Sequence, residues 1–285
     1  MRRVAILSKP LKPELFSILS ELANWLRARD FDPIFDEVSG SYTDAAKTVA
    51  REAMGEANPS LVIVLGGDGT LLSAARVFAR LGTPILSVNL GSLGFLTEVR
   101  LSDLYTTLDA WCTECYVLDE RAMLHTELWR EGALITEHDA LNDIVVSKGA
   151  IARMGQFTVK VDDRLAASYR ADGIILSTPT GSTAYSLSAN GPILDPNVDA
   201  LIITPVCPHL LTMRPLVVRG DAHLSLSLKG TADQNFLTVD GQEAIPMMAG
   251  DELLCRKSAH KVKLIRVGHG SFFDVLRTKL KWGER

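Results

Sequence analysis

Three glycines and an aspartate stand together in Leu65-Gly66-Gly67-Asp68-Gly69-Thr70. Gly66, Gly67 and Gly69 let a backbone turn tightly and approach a ligand closely. The segment follows a wholly apolar run, Leu61–Leu65, and opens a helical pattern through Leu71, Leu72, Ala75 and Phe78. Unpaired amides and the positive end of the helix dipole make such a junction an anion site, and phosphate is its natural occupant. Two familiar phosphate motifs are excluded. The chain has no Gly-Lys pair, hence no P-loop, and Leu72 takes the place of the third glycine in a dinucleotide fingerprint. An acid in a phosphate cradle is electrostatically costly. It makes sense where it holds a metal or takes a proton from an attacking hydroxyl. The simpler alternative is that Asp68 only caps the helix that follows.

The elements that must position this segment read as alternating strands and helices. Val4–Ser8 is a short β-prone run. Leu15, Ile18, Leu19, Leu22, Trp25 and Leu26 recur at helical spacing. Pro33–Val38 is a weak strand, and Thr43 is expected to cap a helix with Ala46, Val49, Ala50 and Ala53 on its apolar face. Leu61–Leu65 and Pro84–Asn89 read as buried strands. Ser102 is expected to cap a helix carrying Leu104, Tyr105, Leu108, Trp111 and Cys112. Such alternation predicts a Rossmann-like parallel sheet with helices on both faces, which binds ligands at the carboxyl ends of its strands.

After Tyr116 the helical period stops. Short β-prone runs take over: Met123–Trp129, Asp143–Ser147, Phe157–Val161, Gly173–Ser177, Leu201–Thr204, Leu216–Val218, His223–Leu228, Phe236–Val239 and Val262–Val267. Turn signals separate them, among them Glu131-Gly132, Asp162-Asp163 and Asp240-Gly241. The expected fold is therefore α/β plus all-β. Residues 1–115 form a nucleotide-binding α/β domain and 116–269 a β-sandwich-like domain. Phe272, Phe273, Leu276 and Leu280 mark a closing helix, with 270–285 returning to the first domain.

Composition narrows the partners. The 285 residues are 47% hydrophobic and 22% charged, as in globular proteins. The formal net charge is −4, unlike the clustered positive charge of nucleic-acid binders. No uncharged apolar run approaches the ~20 residues of a membrane span. Val4–Leu7, after Arg2-Arg3, is too short for a signal-peptide core. A cytoplasmic protein with no membrane partner is expected. The lone Cys112-x-x-Cys115 has no second pair and reads as two small apolar residues at a helix end.

Four separated motifs, between about residues 60 and 245, together resemble one family. Gly66–Thr70 is the GGDGT motif of NAD kinases, lipid kinases and, in related form, 6-phosphofructokinases. Asn89-Leu90-Gly91-Ser92-Leu93-Gly94-Phe95-Leu96, the pair Asn142-Asp143, and Asp172-Gly173 through Thr178-Pro179-Thr180-Gly181-Ser182-Thr183-Ala184-Tyr185-Ser186-Leu187-Ser188 into Gly191-Pro192-Ile193 are similar to bacterial NAD kinases. Two departures stand out. Asp143 occupies a position where many relatives carry Glu, and Asn190 one where a second glycine is frequent.

The resemblance implies transfer of the γ-phosphoryl group of ATP to the 2′-hydroxyl of the adenosine ribose of NAD. Asp68 would accept the hydroxyl proton or align the hydroxyl, while Gly66, Gly67, Gly69 and Thr70 admit the ATP phosphates. Asp68, Gly69, Asn142, Asp143, Thr183, Ala184, Tyr185, Ser186, Leu187 and Ser188 would bind NAD. Asp172 lies toward the nicotinamide end, with Arg153, Arg170 and Gln242 as further dinucleotide contacts. Mg²⁺ or another divalent ion is implied on the phosphates, with no protein ligand assigned. A homodimer or homotetramer built through the β domain is implied as well. The competing readings are a GGDGT-type lipid or sugar kinase and a non-enzymatic NADP(H)-binding module. Leu71-Leu72-Ser73 after Thr70 disfavours the lipid kinase, and the presence of Asp68 disfavours the module.

Overall fold

The computed structural model describes residues 1–43, 48–91, 94–149, 155–229, 235–266 and 271–283. The chain divides into two compact units: Met1–Glu120 with Lys261–Arg285, and Arg121–His260.

The first unit begins with β1 (Arg2–Ser8), α1 (Leu15–Arg27), β2 (Phe31–Phe35) and the short α2 (Glu37–Gly40). It continues with β3 (Leu61–Gly66), α3 (Asp68–Phe78), β4 (Ile85–Asn89), β5 (Val99–Arg100) and α4 (Leu104–Cys112). Strands β2, β1, β3 and β4 lie side by side and parallel. Every residue of β3 is buried, which is why this strand reads as an unbroken apolar run rather than an alternation. Val4, Ile6, Leu61, Ile63 and Leu65 pack with Leu15, Leu19 and Leu22 of α1 and Leu104, Leu108 and Trp111 of α4. The alternate residues Ala5, Leu7, Val62 and Val64 are equally buried, on the face where α3 lies against β1 and β3.

Three local expectations are corrected. The Pro33–Val38 strand ends at Phe35, because Asp36 accepts the Ser39 amide at 2.8 Å and starts α2. The helix capped by Thr43 does not form in the described residues; Ala46 lies outside them. Instead Val49 bridges to Asp36, and residues Arg51–Ala57 make a 3₁₀ helix. The Arg51 guanidinium fixes this path by bonding Asp36, Ser73 Oγ and the Ser8 carbonyl. Ser102 caps nothing: its hydroxyl donates to Asp103 Oδ1, and a 3₁₀ turn over Leu101–Asp103 leads into α4.

The chain then runs through β6 (Val117–Arg130), β7 (Ala133–Ala140), β8 (Asp143–Lys148), β9 (Gly155–Val161), β10 (Arg164–Ala171) and β11 (Gly173–Ser177). A 3₁₀ turn over Thr180–Thr183 and the short α5 (Tyr185–Ser188) follow. Next come β12 (Ala200–Val206), β13 (Leu216–Arg219), β14 (Leu224–Lys229), β15 (Asn235–Val239), β16 (Glu243–Met247) and β17 (Glu252–Arg266), with α6 (Phe272–Leu280) last. The second unit contains an antiparallel six-stranded sheet in the order β13-β12-β11-β8-β15-β16. In its other sheet β10, β9, β14 and β17 are neighbours, with β6 beside β17 and β7 beside β6. Both sheets supply one core, from Phe157, Leu224 and Leu253 on one side to Ile144, Ile174 and Leu237 on the other. This is a β-sandwich arrangement. Glu131-Gly132 and Asp162-Asp163 take positive φ at both residues, the geometry of a two-residue hairpin turn. Strands β7, β10 and β16 are additional to the expected ones, and β17 is longer than the expected Val262–Val267, whose last residue lies outside the described ones. Within the first unit, Leu264 of β17 pairs with Ile85 of β4. Among the described residues no helix is long and apolar enough to cross a membrane.

Candidate functional site

In the first unit the GGDGT segment joins β3 to α3 at the carboxyl end of the parallel sheet. None of its three glycines takes positive φ, so a tight left-handed turn is not what selects them. A Cβ on Gly67 or Gly69 would meet nothing within 4 Å, so the ground over the α3 N-terminus is open. A Cβ on Gly66 would meet Thr70 Oγ1 at 2.5 Å, a close approach only glycine permits. The helix dipole favours an anion here, and the open glycine surface gives phosphate room.

Asp68 does not cap α3; Gly67 holds that position, without a side-chain bond. The carboxylate reaches instead to the segment after β4. Its Oδ1 accepts the Leu96 amide at 3.2 Å, the Thr97 amide at 3.1 Å and the Thr97 hydroxyl at 3.0 Å. Its Oδ2 accepts the Phe95 amide at 3.0 Å. Oδ1 is thus crowded with donors, while Oδ2 keeps acceptor capacity for a further hydroxyl. Gly94 makes the contact possible, since a Cβ there would sit 2.1 Å from Asp68 Oδ1. Asn89 steadies the same segment through the Thr97 hydroxyl at 3.1 Å and the Gly91 amide at 2.6 Å.

In the second unit, Asn142, Asp143, Val145, Ser147, Ala184, Tyr185, Thr238, Asp240 and Gly241 line a cleft of about 330 Å³. Its floor is built by Asp240. This carboxylate is only 8% exposed and collects three successive amides: Leu141 on Oδ2 at 3.0 Å, and Asn142 and Asp143 on Oδ1 at 2.8 and 3.1 Å. The pairing places a second carboxyl, Asp143, beside it. Burial first, and then the Asp240 charge, push the Asp143 carboxyl up from 3.8 to about 7; the Tyr185 amide pulls weakly the other way. The cleft therefore offers one fixed anion and one carboxyl that holds or releases a proton near neutrality. A half-exposed aromatic face, Tyr185, stands beside them.

The sequence-predicted residues divide accordingly. Asn142, Asp143, Ala184 and Tyr185 come together in the cleft; Thr183, Leu187, Ser188 and Gln242 do not line it. Ser186 is fully buried and its hydroxyl pairs with Thr204 Oγ1 at 2.9 Å. Its hydroxyl faces the protein interior. Asp172 pairs with Lys148 at 2.8 Å. Arg170 is exposed, away from the cleft lining. Arg153 lies outside the described residues. Asn190 adopts φ of 65°, a left-handed geometry that asparagine tolerates better than most residues. Asp240 reads in the sequence as a turn residue only. Its Asp-Gly pair does turn the chain, with positive φ at both positions; its carboxylate role carries no local sequence signal. Among the described residues no group of three or more His, Cys, Asp or Glu is placed to hold a metal ion.

Comparison with known proteins agrees across the whole chain. Residues 4–116 match the ATP-NAD kinase N-terminal domain and residues 141–267 the ATP-NAD kinase C-terminal domain. The chain is 63% identical over 285 residues to the NAD kinase of Acidobacterium capsulatum and 52% identical to that of Koribacter versatilis, covering 100% of each protein. Among solved structures it resembles yeast NADH kinase complexed with NADH, with a TM-score of 0.90 and 25% identity over 100% of this chain and 89% of that one. An NAD kinase from Archaeoglobus fulgidus in complex with ATP shares the fold, with a TM-score of 0.76 and 21% identity over 98% of both chains. With both domain models matched and relatives this similar along their full length, the chain belongs to the ATP-NAD kinase family and is a phosphotransferase with NAD kinase function.

Proposed function

We propose that the chain transfers the γ-phosphoryl group of ATP to the 2′-hydroxyl of the adenosine ribose of NAD, giving ADP and NADP, with Asp68 as the group that readies the hydroxyl. The observation that carries this is the state of the Asp68 carboxylate. Four donors from Phe95–Thr97 hold it rigidly, yet Oδ2 accepts only one of them. A ribose hydroxyl donating to Oδ2 is aligned for attack, and its proton passes to that oxygen as the new P–O bond forms and the bond to the ADP oxygen breaks. Phosphoryl transfer passes through a loose transition state in most analyses, so alignment and charge stabilisation carry most of the rate. A fixed carboxylate suits that demand.

Gly66, Gly67, Gly69 and Thr70 take the ATP phosphates at the α3 N-terminus. Asn142 and Asp143 hold the adenosine part of NAD, Tyr185 offers its ring to the base with Ala184 beside it, and Thr183, Leu187 and Ser188 are further NAD contacts outside the cleft lining. Asp172 serves the nicotinamide end, and Arg170 and Gln242 are further dinucleotide contacts. The complex of the yeast neighbour with NADH supports a dinucleotide as the ligand. A magnesium ion would be carried on the ATP phosphates, since Mg²⁺ commonly relies on phosphate oxygens and water. When bound, it neutralises charge on the transferring group. We place the enzyme in the cytoplasm, as a homodimer or homotetramer associating through its β-sandwich unit.

The test is NADP formation from ATP, Mg²⁺ and NAD, with diacylglycerol and fructose 6-phosphate as parallel acceptors. Only NAD is expected to be phosphorylated. Asp68→Asn should fold and lose about 10²-fold or more in kcat, the scale of a lost general base. Activity within a few-fold of wild type would remove Asp68 from this role.

A further inference from the structure

We infer that Thr178 is a positioning residue for the dinucleotide: its hydroxyl fastens the Asn142–Asp143 wall of the cleft to the wall that carries Ala184 and Tyr185. The inference rests on the proposed reading of that cleft as the NAD site.

Thr178 follows the last residue of β11 and is 1% exposed. Its Oγ1 donates to the Leu141 carbonyl at 2.6 Å and accepts the Gly181 amide at 3.0 Å. Its own amide donates to the Asn142 carbonyl at 2.9 Å, which Ser177 Oγ also reaches at 3.2 Å. The hydroxyl proton is therefore committed to one wall, and an oxygen lone pair to the other. Closeness is enforced as well: a Cβ on Gly181 would lie 2.1 Å from the Asn142 carbonyl oxygen. From Gly181 the 3₁₀ turn carries the chain directly to the cleft, with the Ala184 amide bonded to the Gly181 carbonyl at 2.9 Å. Residues 141–143 are thus held from both sides. Asp240 takes their amides, while Thr178 and Ser177 take the carbonyls of Leu141 and Asn142. Without this hydroxyl the Leu141 carbonyl and the Gly181 amide lose their shared link, and the spacing that the adenosine part meets rests on the Thr178 amide and the Tyr185 amide alone.

Valine has the shape of threonine without the hydroxyl, and it strands two buried polar groups. Thr178→Val should raise KM for NAD about tenfold, with kcat and KM for ATP within about twofold of wild type. Thr178→Ser keeps both bonds and should restore KM for NAD to within about twofold. A serine variant with a tenfold higher KM, or a valine variant with wild-type KM, overturns the inference. So does a valine variant that loses kcat while KM for NAD stands still, the mark of a merely structural residue. If the valine variant does not fold, the serine variant still decides. Asp143→Ala in the same assay separates the two levels. If it leaves KM for NAD unchanged, the cleft reading fails; if it raises KM while Thr178→Val does not, only the role of Thr178 fails.

Discussion

Replacing Asp143 by asparagine removes a proton-binding group from a buried spot beside a second carboxylate in the second unit. Asp143 is 4% exposed and lies beside the Asp240 carboxylate, which three amides keep satisfied as an anion. Its carboxyl rises from 3.8 to about 7. Between those values the native protein retains a proton that the unfolded chain has released, so stability falls as pH rises through this window. The full difference corresponds to roughly 4 kcal/mol, lost between about pH 4 and pH 8, most of it between pH 5 and 7. The amide of the variant does not titrate in this range. Urea denaturation of Asp143→Asn and wild type from pH 4 to 8 should therefore show two curves that separate. The variant gains on wild type by roughly 4 kcal/mol across the range, whatever fixed offset the amide introduces. Other titrating groups are common to both proteins and largely cancel in the difference. Two parallel curves would refute the reasoning, since they would mean that Asp143 ionises in the folded protein as readily as in the unfolded chain.

Two further outcomes follow from the packing. Gly94→Ala places a methyl where Asp68 Oδ1 and Thr97 Oγ1 now stand. It should cost about 10²-fold in kcat through displacement of the carboxylate, with little change in KM for NAD; steady-state kinetics with unaltered kcat would show that the tie to Phe95–Thr97 is dispensable. Cys112, Cys115 and Cys207 are exposed, whereas burial pushes the Cys255 thiol up to about 12. A thiol-reactive chromophore at pH 8 should count three groups in the native protein and the fourth only after denaturation; a fourth rapid reaction in native buffer would contradict the burial of Cys255.

The residues that announce themselves in the sequence are those whose role is local. Gly66–Thr70 sits between an apolar run and a helical period, and both survive in the structure because β3 is buried on both faces and α3 is amphipathic. Strand β7 leaves no such mark. It is largely exposed until its last two residues, and Thr136, Glu137, His138 and Asp139 interrupt any apolar alternation. Strand β17 hides likewise behind Glu252, Arg256, Lys257, His260 and Lys261, though Leu253, Cys255, Val262 and Leu264 are buried along it. Thr43 and Ser102 have the right chemistry for helix caps, but tertiary bonds of Arg51 and a 3₁₀ start to α4 set the boundaries elsewhere. Asp240 is the largest omission. Its partners lie 97 to 99 positions earlier in the chain, beyond the reach of any local pattern. Ser186 shows a similar limit: the sequence carries no sign that its hydroxyl pairs with Thr204 and turns inward.

The hairpin tips of the second unit are not equivalent as places to modify the enzyme. Glu131-Gly132 has the same left-handed backbone as Asp240-Gly241, yet both of its residues are solvent-facing. Lengthening that loop, grafting an epitope there or opening the chain at that point leaves residues 141–143 untouched. The tip at Asp240 closes over the very amides that shape the cleft, so even a one-residue insertion there pulls the keystone from the floor. A fluorescent tag or surface tether belongs at residues 131–132, and directed evolution of substrate choice has its most sensitive lever at residue 240.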